Sequence, residues 1–110
     1  MHSPLLFGAN PIFESSTFSF NPVKAGTTVD ISFDYTNSGK STLKFYKLDP
    51  DSSRVRVESV SDVQPGGKGK IKATLDTAGL PAGEVLIVVT ITTNAPLRPL
   101  VNLYISGFIK

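Results

Sequence analysis

Few residues of this chain have side chains that could perform covalent or metal-dependent chemistry. The sequence contains no cysteine, which excludes disulfides, thiolate metal sites and cysteine nucleophiles. His2 is the single histidine, and a Ser-His-Asp arrangement would need it held firmly against a serine. Because His2 lies in a stretch without strand or helix periodicity, we do not expect such a triad.

The carboxylates are also poorly arranged for metal binding or hydrolysis. Asp49, Asp51 and Ser53 have the alternate spacing that opens a calcium-binding loop. The sixth position of that loop is Arg54, where glycine is needed, and the twelfth is Val60, where glutamate is needed. We therefore predict a solvated turn, no metal site and no cofactor, and we expect that the protein is not an enzyme.

Three lysines stand at alternate positions, Lys68, Lys70 and Lys72. Alternate residues of a strand share one face, so these cations would form a basic stripe. The stripe could attract an acidic glycan, a phospholipid or an acidic protein, or it could simply be a solvated face that protects a sheet edge. Eleven basic and nine acidic residues give a net charge of +2, which is too weak to indicate nucleic-acid binding.

Alternation of apolar and polar residues with a period of two runs through most of the chain. Residues 29–35 (VDISFDY) alternate in this way, which is typical of a half-buried strand. Six further segments have a strand pattern and are separated by Gly, Pro and Asn turns: 18–20, 43–48, 54–58, 71–75, 85–93 and 100–108. We expect Pro50 to end the 43–48 strand, and Gly39 and Gly66 to supply positive φ in turns.

These strands define a fold class and a domain. No segment has the apolar stripe of an amphipathic helix, and about seven strands in 110 residues predict an all-β fold. The expected architecture is an antiparallel immunoglobulin-like β-sandwich of two sheets. It would occupy residues 16–110, with residues 1–15 as a linker or a strand docked on an edge. No apolar stretch approaches the roughly 20 residues of a membrane span, so we expect no membrane insertion.

Several large apolar side chains fall on the outward side of these strands. Odd residues of the 85–93 strand are predicted to face the core, which leaves Leu86 and Val88 outside. Six such outward residues lie on three strands that should be neighbours in one sheet: Tyr46, Leu48, Leu86, Val88, Leu100 and Tyr104. A contiguous patch of this kind indicates docking of another domain or protein. The alternative, left open here, is that residues 1–15 fold back and cover it with apolar side chains such as Ile12.

Five short motifs, in order, resemble those of a bacterial immunoglobulin-like family. Residues 33–39 (FDYTNSG) are similar to its strand and turn "F-x-F-x-N-x-G", and residues 63–71 (VQPGGKGKI) to "I-x-P-G-x-x-G-x-I". Residues 83–96 end in "T-x-N-x-P", and residues 103–107 (LYISG) resemble "L-x-I-x-G". Residues 18–26 resemble the opening "F-x-F-G-x-V-x-x-G", with Asn21 where glycine is usual. The family is domain-of-unknown-function family 1573, which is similar to the major sperm protein and Hydin-type domains.

The resemblance implies a binding or scaffold module of a bacterial protein, located in the periplasm, at the cell surface or outside the cell. Many family members carry a Cys-Gly-Cys motif where this chain has residues 49–53 (DPDSS), so any metal or redox role of those cysteines does not transfer. Two functions stay open. One is protein interaction through the outward patch, and the other is carbohydrate binding by sugar rings stacked on Tyr46 and Tyr104.

Overall fold

The structure, a computed structural model, describes residues 8–58 and 60–110 and contains eight strands in two sheets. The strands are β1 (Pro11–Phe13), β2 (Thr17–Ser19), β3 (Thr28–Asn37), β4 (Phe45–Pro50), β5 (Val55–Val57), β6 (Lys68–Asp76), β7 (Gly83–Thr93) and β8 (Leu100–Ile109). One sheet has the order β1-β3-β6-β5 and the other β2-β8-β7-β4. This is the strand order of an immunoglobulin-type sandwich, so the predicted fold is confirmed, with eight strands rather than seven.

The eighth strand comes from the segment expected to be a linker or an edge strand. β1 pairs antiparallel with β3 at the edge of the first sheet, and the chain then crosses to the second sheet, where β2 pairs parallel with β8. Residues 1–7 of that segment lie outside the described residues. The early chain therefore contributes an edge to each sheet.

Alternation places the core between the sheets. In β3, Ile31 and Phe33 are buried, while Asp30 and Asp34 are exposed. β7 and β8 follow the same rule along ten paired positions, with Ile91 and its odd-numbered neighbours fully inside. Each large aliphatic side chain buried in this way contributes about 1.5–3 kcal/mol to folding. Apolar burial on both inner faces is thus the main source of stability.

The orientation of Leu48 differs from the prediction because β4 contains a β-bulge. The register shifts between Phe45 and Lys47, so one extra residue reverses the alternation after it. Leu48 consequently pairs with the buried Ile91 and packs against the core, whereas it was expected to face outward. Tyr46, at the bulge, remains exposed.

Two turn predictions also need correction. β4 ends at Pro50, as expected, but it includes Asp49 and Pro50, which the predicted 43–48 strand did not, because Asp51 makes the next hydrogen bond to β7 and the missing N–H of Pro50 faces the free edge. Gly66 has the expected positive φ of 80°, but Gly39 does not. Glycine is needed at Gly39 because a Cβ there would collide with the main chain of Gly8 and Ala9.

Asn37 ties the end of β3 to three other segments. Its Oδ1 accepts hydrogen bonds from the N–H of Asn10 at 3.1 Å and of Gly39 at 3.1 Å. Its Nδ2 donates to the carbonyls of Ser41 at 2.8 Å and Val63 at 3.0 Å. The side chain is fully buried, and all four of its hydrogen-bonding positions are satisfied. The asparagine of the "F-x-F-x-N-x-G" motif is therefore a structural residue.

Candidate functional site

The outer face of the second sheet carries the apolar residues that the sequence singled out. The three strands involved are neighbours, in the order β8-β7-β4, as predicted. Val88 stands opposite Tyr104 on the outer face, and Leu86 stands opposite Ser106. Phe108, opposite Glu84, extends the same face. Directly opposed residues in an antiparallel pair lie about 5 Å apart, so these side chains are close neighbours.

We call Leu86, Val88, Tyr104 and Phe108 the apolar cluster. Leu86 is 64% exposed, Phe108 50% and Tyr104 37%, and Val88 is half-buried. Transfer of each such side chain from water to a dry interface is worth about 1–3 kcal/mol. The cluster is therefore a surface from which a partner could gain binding free energy.

The predicted patch is not continuous across the sheet. The next pair along the strands is polar, because the Thr90 hydroxyl donates to Oδ1 of Asn102 at 3.0 Å. Leu100 lies beyond this pair, opposite Thr92, and Tyr46 lies near the same end of β7. Of the six residues predicted to form one patch, only three belong to the apolar cluster, and Leu48 faces the core.

Phe108 was missed at the sequence level, although its signal was available. It has the same even parity as Tyr104 in a strand whose odd residues face inward. The intervening Gly107 interrupts the alternating pattern, and a Cβ at that position would overlap the ring of Phe20. The ring of Phe20 thus occupies the space that a side chain at position 107 would need. The next residue of β8, Phe108, faces outward.

Polar groups lie beside and within the apolar cluster, and one of them fixes the main chain beneath it. The Asp51 carboxylate accepts a hydrogen bond from the N–H of Val88 at 3.0 Å, and the N–H of Asp51 donates to the Val88 carbonyl at 2.9 Å. Ser106 lies within the cluster, opposite Leu86 and between Tyr104 and Phe108, and its hydroxyl shares a hydrogen bond of 3.1 Å with that of Ser19. Protein interfaces commonly combine apolar side chains with polar groups in this way.

The described part of the N-terminal segment does not cover this cluster. Ile12 lies in β1, on the opposite sheet, where it pairs with Thr36. The other apolar residues proposed as a cover, at positions 5–7, lie outside the described residues. The prediction that Ile12 covers the outward patch is therefore wrong. Coverage of the apolar cluster by the residues before Gly8 stays a prediction.

The basic stripe lies on the outer face of the first sheet, and all three lysines are exposed. Lys70 stands opposite Asp34, and its Nζ lies 3.6 Å from that carboxylate. β5 pairs with residues 73–75 only, so Lys68 and Lys70 flank a part of β6 that β5 leaves uncovered. Lysine on an open edge opposes strand-to-strand aggregation. This agrees with the interpretation of the stripe as a solvated face that protects a sheet edge.

The fold changes the environment of the Tyr35 phenol. Tyr35 is buried, and desolvation raises the pKa of its phenol above the ordinary value of 10.0. Its ring lies against Gly69, where a Cβ would overlap the phenol. The phenol is neutral at physiological pH, and the ring packs between Phe13 and Phe45. Tyr35 is therefore a structural residue of the core.

The carboxylates considered for metal binding are engaged elsewhere. Asp49 lies 3.6 Å from Nζ of Lys47, and Asp51 bonds to the main chain of β7. In residues 8–58 and 60–110, no group of three or more His, Cys, Asp or Glu side chains could hold a metal ion. The same residues include no helix with the length and apolar character that a membrane span requires.

The model of the family described as "Protein of unknown function (DUF1573)" matches residues 11–109. The chain belongs to this family. The predicted membership is thereby confirmed, and the match begins at β1 of the DUF1573 domain. Among curated proteins, none matches the chain in sequence.

Solved structures show that the DUF1573 domain shares its fold with proteins of several kinds. A protein of unknown function from Porphyromonas gingivalis W83 is 13% identical, with a TM-score of 0.80 over 97% of this chain and 50% of that one. The chain thus spans half the length of that protein. The ASH/PapD-like domain 7 of human CEP192 is 14% identical, with a TM-score of 0.72 over 100% and 90%. WR4, a Caenorhabditis elegans member of the MSP family, is 19% identical, with a TM-score of 0.55 over 93% and 97%. The similarity to major sperm protein domains is confirmed at the level of the fold.

Proposed function

We propose that this domain is a non-catalytic protein-interaction module that binds another folded domain through the apolar cluster. The observation that carries the proposal is the exposure of Leu86 on β7 and of its two diagonal neighbours on β8, Tyr104 and Phe108. Monomeric proteins seldom leave contiguous apolar surface exposed without a binding role. Aromatic side chains in particular are enriched where interfaces derive most of their binding energy.

The scaffold beneath the cluster suits this role because it is rigid. β7 and β8 are paired with each other over ten positions and are flanked by β4 and β2. The main chain of Val88 is fixed further by Asp51. A surface held in one conformation loses little entropy on binding, so more of its contact energy is retained as affinity.

Protein docking fits the geometry better than carbohydrate binding does. The two tyrosines that would stack on sugar rings lie two strands apart, on β4 and β8. They are also separated by about four residues along the strands, which together places them on the order of 17 Å apart. The polar pair of Thr90 and Asn102 lies between them, so they do not form one platform.

We further propose that the domain works in the envelope of a bacterial cell or outside it. The family resemblance supports this location, and so does the low share of charged residues, 18%, on a surface rich in Ser, Thr and Asn. Fractionation of cells that produce the protein would test it. Recovery with the periplasmic, surface or secreted proteins is expected, and recovery with cytoplasmic proteins alone would contradict it.

The docking proposal predicts a selective loss of affinity. A photo-reactive phenylalanine analogue at position 86 or 104, but not at position 74 on the other sheet, should crosslink one folded protein in cells. That protein, once purified, should bind the wild-type domain. Leu86→Ser combined with Phe108→Ser should weaken this binding by at least about tenfold, because two apolar anchors are lost, with little change in the unfolding midpoint.

The matched control is the double variant Tyr46→Ser and Leu97→Ser, which replaces two large side chains of similar exposure, 66% and 56%, outside the cluster. Calorimetric titration should give wild-type affinity for this variant. An equal loss of affinity in both double variants would contradict the proposal. Saturable polysaccharide binding that Tyr104→Ala abolishes would contradict it in favour of the carbohydrate reading.

A further inference from the structure

The first four residues of β8, 100–103, form a sheet edge that β2 does not cover. β2 begins at Thr17, opposite Tyr104, because the preceding chain leaves β1 in the first sheet and crosses at residues 14–16. Among the residues that the structure describes, 100–103 therefore pair only with β7, on their other side. A stretch of strand with one free side presents unpaired main-chain groups.

The direction of those groups follows from the hydrogen bonds further along β8. The N–H of Tyr104 donates to the Ser16 carbonyl at 2.7 Å, and the Ser106 carbonyl accepts from the N–H of Phe20 at 2.9 Å. Even-numbered residues of β8 thus direct their main-chain groups toward β2, since the direction alternates along a strand.

By the same alternation, Leu100 and Asn102 direct their N–H and C=O groups to the uncovered side. No hydrogen bond to any of these four groups is formed within the described residues. They are available to a second strand.

A cleft of about 620 Å³ lies against this edge. Ligand clefts in proteins commonly have volumes of about 300–1,000 Å³. Ile12 and Phe13 from β1 and the polar residues 14–16 line one wall, and Leu100, Val101 and their neighbours line the other. Ile12 is 42% exposed and Leu100 65%, so apolar surface flanks the free main-chain groups.

The other edges carry features that oppose strand addition. The Ser15 hydroxyl bonds to both the N–H and the C=O of Thr17, which occupies the outer main-chain groups at the start of β2. β4 has a bulge and Pro50, and lysines flank the uncovered part of β6. Bulges, prolines and lysines are common means of protecting sheet edges. In the described part of β8, residues 100–103 carry none of them.

We propose that this edge binds an extended segment of a partner protein, which adds as a short strand beside residues 100–103. Main-chain hydrogen bonds to Leu100 and Asn102 would hold it, as in other cases of strand addition. Its side chains opposite Val101 would point between the sheets toward Phe13, so they should be apolar. The cleft is lined by one charge of each sign, Arg98 and Glu14, so recognition would rest on the main chain and on the apolar side chains.

The test uses amide hydrogen exchange, read by NMR on the full chain with a synthetic probe. The probe is the blocked pentapeptide acetyl-Asp-Val-Thr-Val-Asp-amide at millimolar concentration. The amides of Leu100 and Asn102 should exchange freely without the peptide and at least about tenfold more slowly with it. A peptide with proline as its central residue should give no protection, because it lacks the central N–H.

A variant of the protein distinguishes strand addition, which needs the main chain of β8, from peptide binding that uses only side chains. Asn102→Pro removes an N–H that the fold itself does not use, so the domain should fold and should lose the peptide effect at Leu100. Asn102→Thr, which keeps the N–H, should retain it. The proposal is overturned if the peptide leaves both amides unchanged or if the proline variant responds like wild type. It is also overturned if the Asn102 amide is already protected before any peptide is added.

Discussion

Val89→Asp is expected to abolish cooperative folding. Val89 lies in the centre of β7, is 2% exposed and pairs with the fully buried Leu103. The substitution places a carboxylate between the sheets without a partner, and such a charge costs several kcal/mol. Together with the lost apolar burial, the loss should be about 5 kcal/mol or more, which is comparable to the whole stability of many domains. Circular dichroism during thermal and urea unfolding would show the absence of a transition.

Leu86→Asp is the matched control for this variant. It introduces the same charge three residues earlier in the same strand, at a position that is 64% exposed and opposite Ser106. A solvated carboxylate costs little, so the free energy of unfolding should change by less than about 1 kcal/mol. Equal destabilisation by the two variants would show that the assignment of inward and outward faces in β7 is wrong.

Asn37→Ala is expected to lower the free energy of unfolding by about 3–5 kcal/mol. The truncation leaves the N–H groups of Asn10 and Gly39 without the acceptor they now have. It also removes one donor from each of the carbonyls of Ser41 and Val63, although Val63 keeps its bond from the N–H of Leu43. Each buried group left unsatisfied costs about 1–3 kcal/mol, and water entering the gap recovers part of this. Chemical denaturation would measure the loss as a shift of the midpoint at constant slope.

Asn102→Ala provides the comparison, because this asparagine is exposed and its side chain bonds only to the Thr90 hydroxyl within the described residues. Its free energy of unfolding should change by no more than about 0.5 kcal/mol. A cost below about 1 kcal/mol for Asn37→Ala would mean that the buried amide does not hold β3 to the neighbouring segments.

The positions of most strands could be predicted from the sequence, because alternate side chains of a strand share one face and one face of each sheet packs against the core. The alternation in residues 29–35 and 85–93 predicted the buried sets of β3 and β7 correctly. The bulge at Tyr46 could not be read in this manner. An extra residue in an edge strand leaves no compositional trace in the residues 45–48, yet it reverses the orientation of Leu48.

The candidate site was only partly predictable for a related reason. Parity indicates which residues of a strand face outward, but the continuity of a patch depends on the register between strands. The register pairs Thr90 with Asn102 and Leu86 with Ser106, whereas the outward parity of Asn102 and Phe108 was available from the sequence of their own strand. The open edge at residues 100–103 depends on where the early chain crosses between sheets, which no local pattern in the sequence specifies.

The most direct test of docking measures, in intact cells, how far a bound partner protects introduced cysteine thiols from chemical modification. Because the chain has no cysteine, Leu86→Cys, Phe108→Cys and the control Leu97→Cys each introduce a single reporter. In the purified domain, a maleimide should modify all three at similar rates, since all three side chains are at least half exposed. In intact cells that make the protein, positions 86 and 108 should react at least about tenfold more slowly than position 97, because a bound domain excludes the reagent. Equal rates at all three positions in cells would show that the apolar cluster has no partner there and would contradict the account.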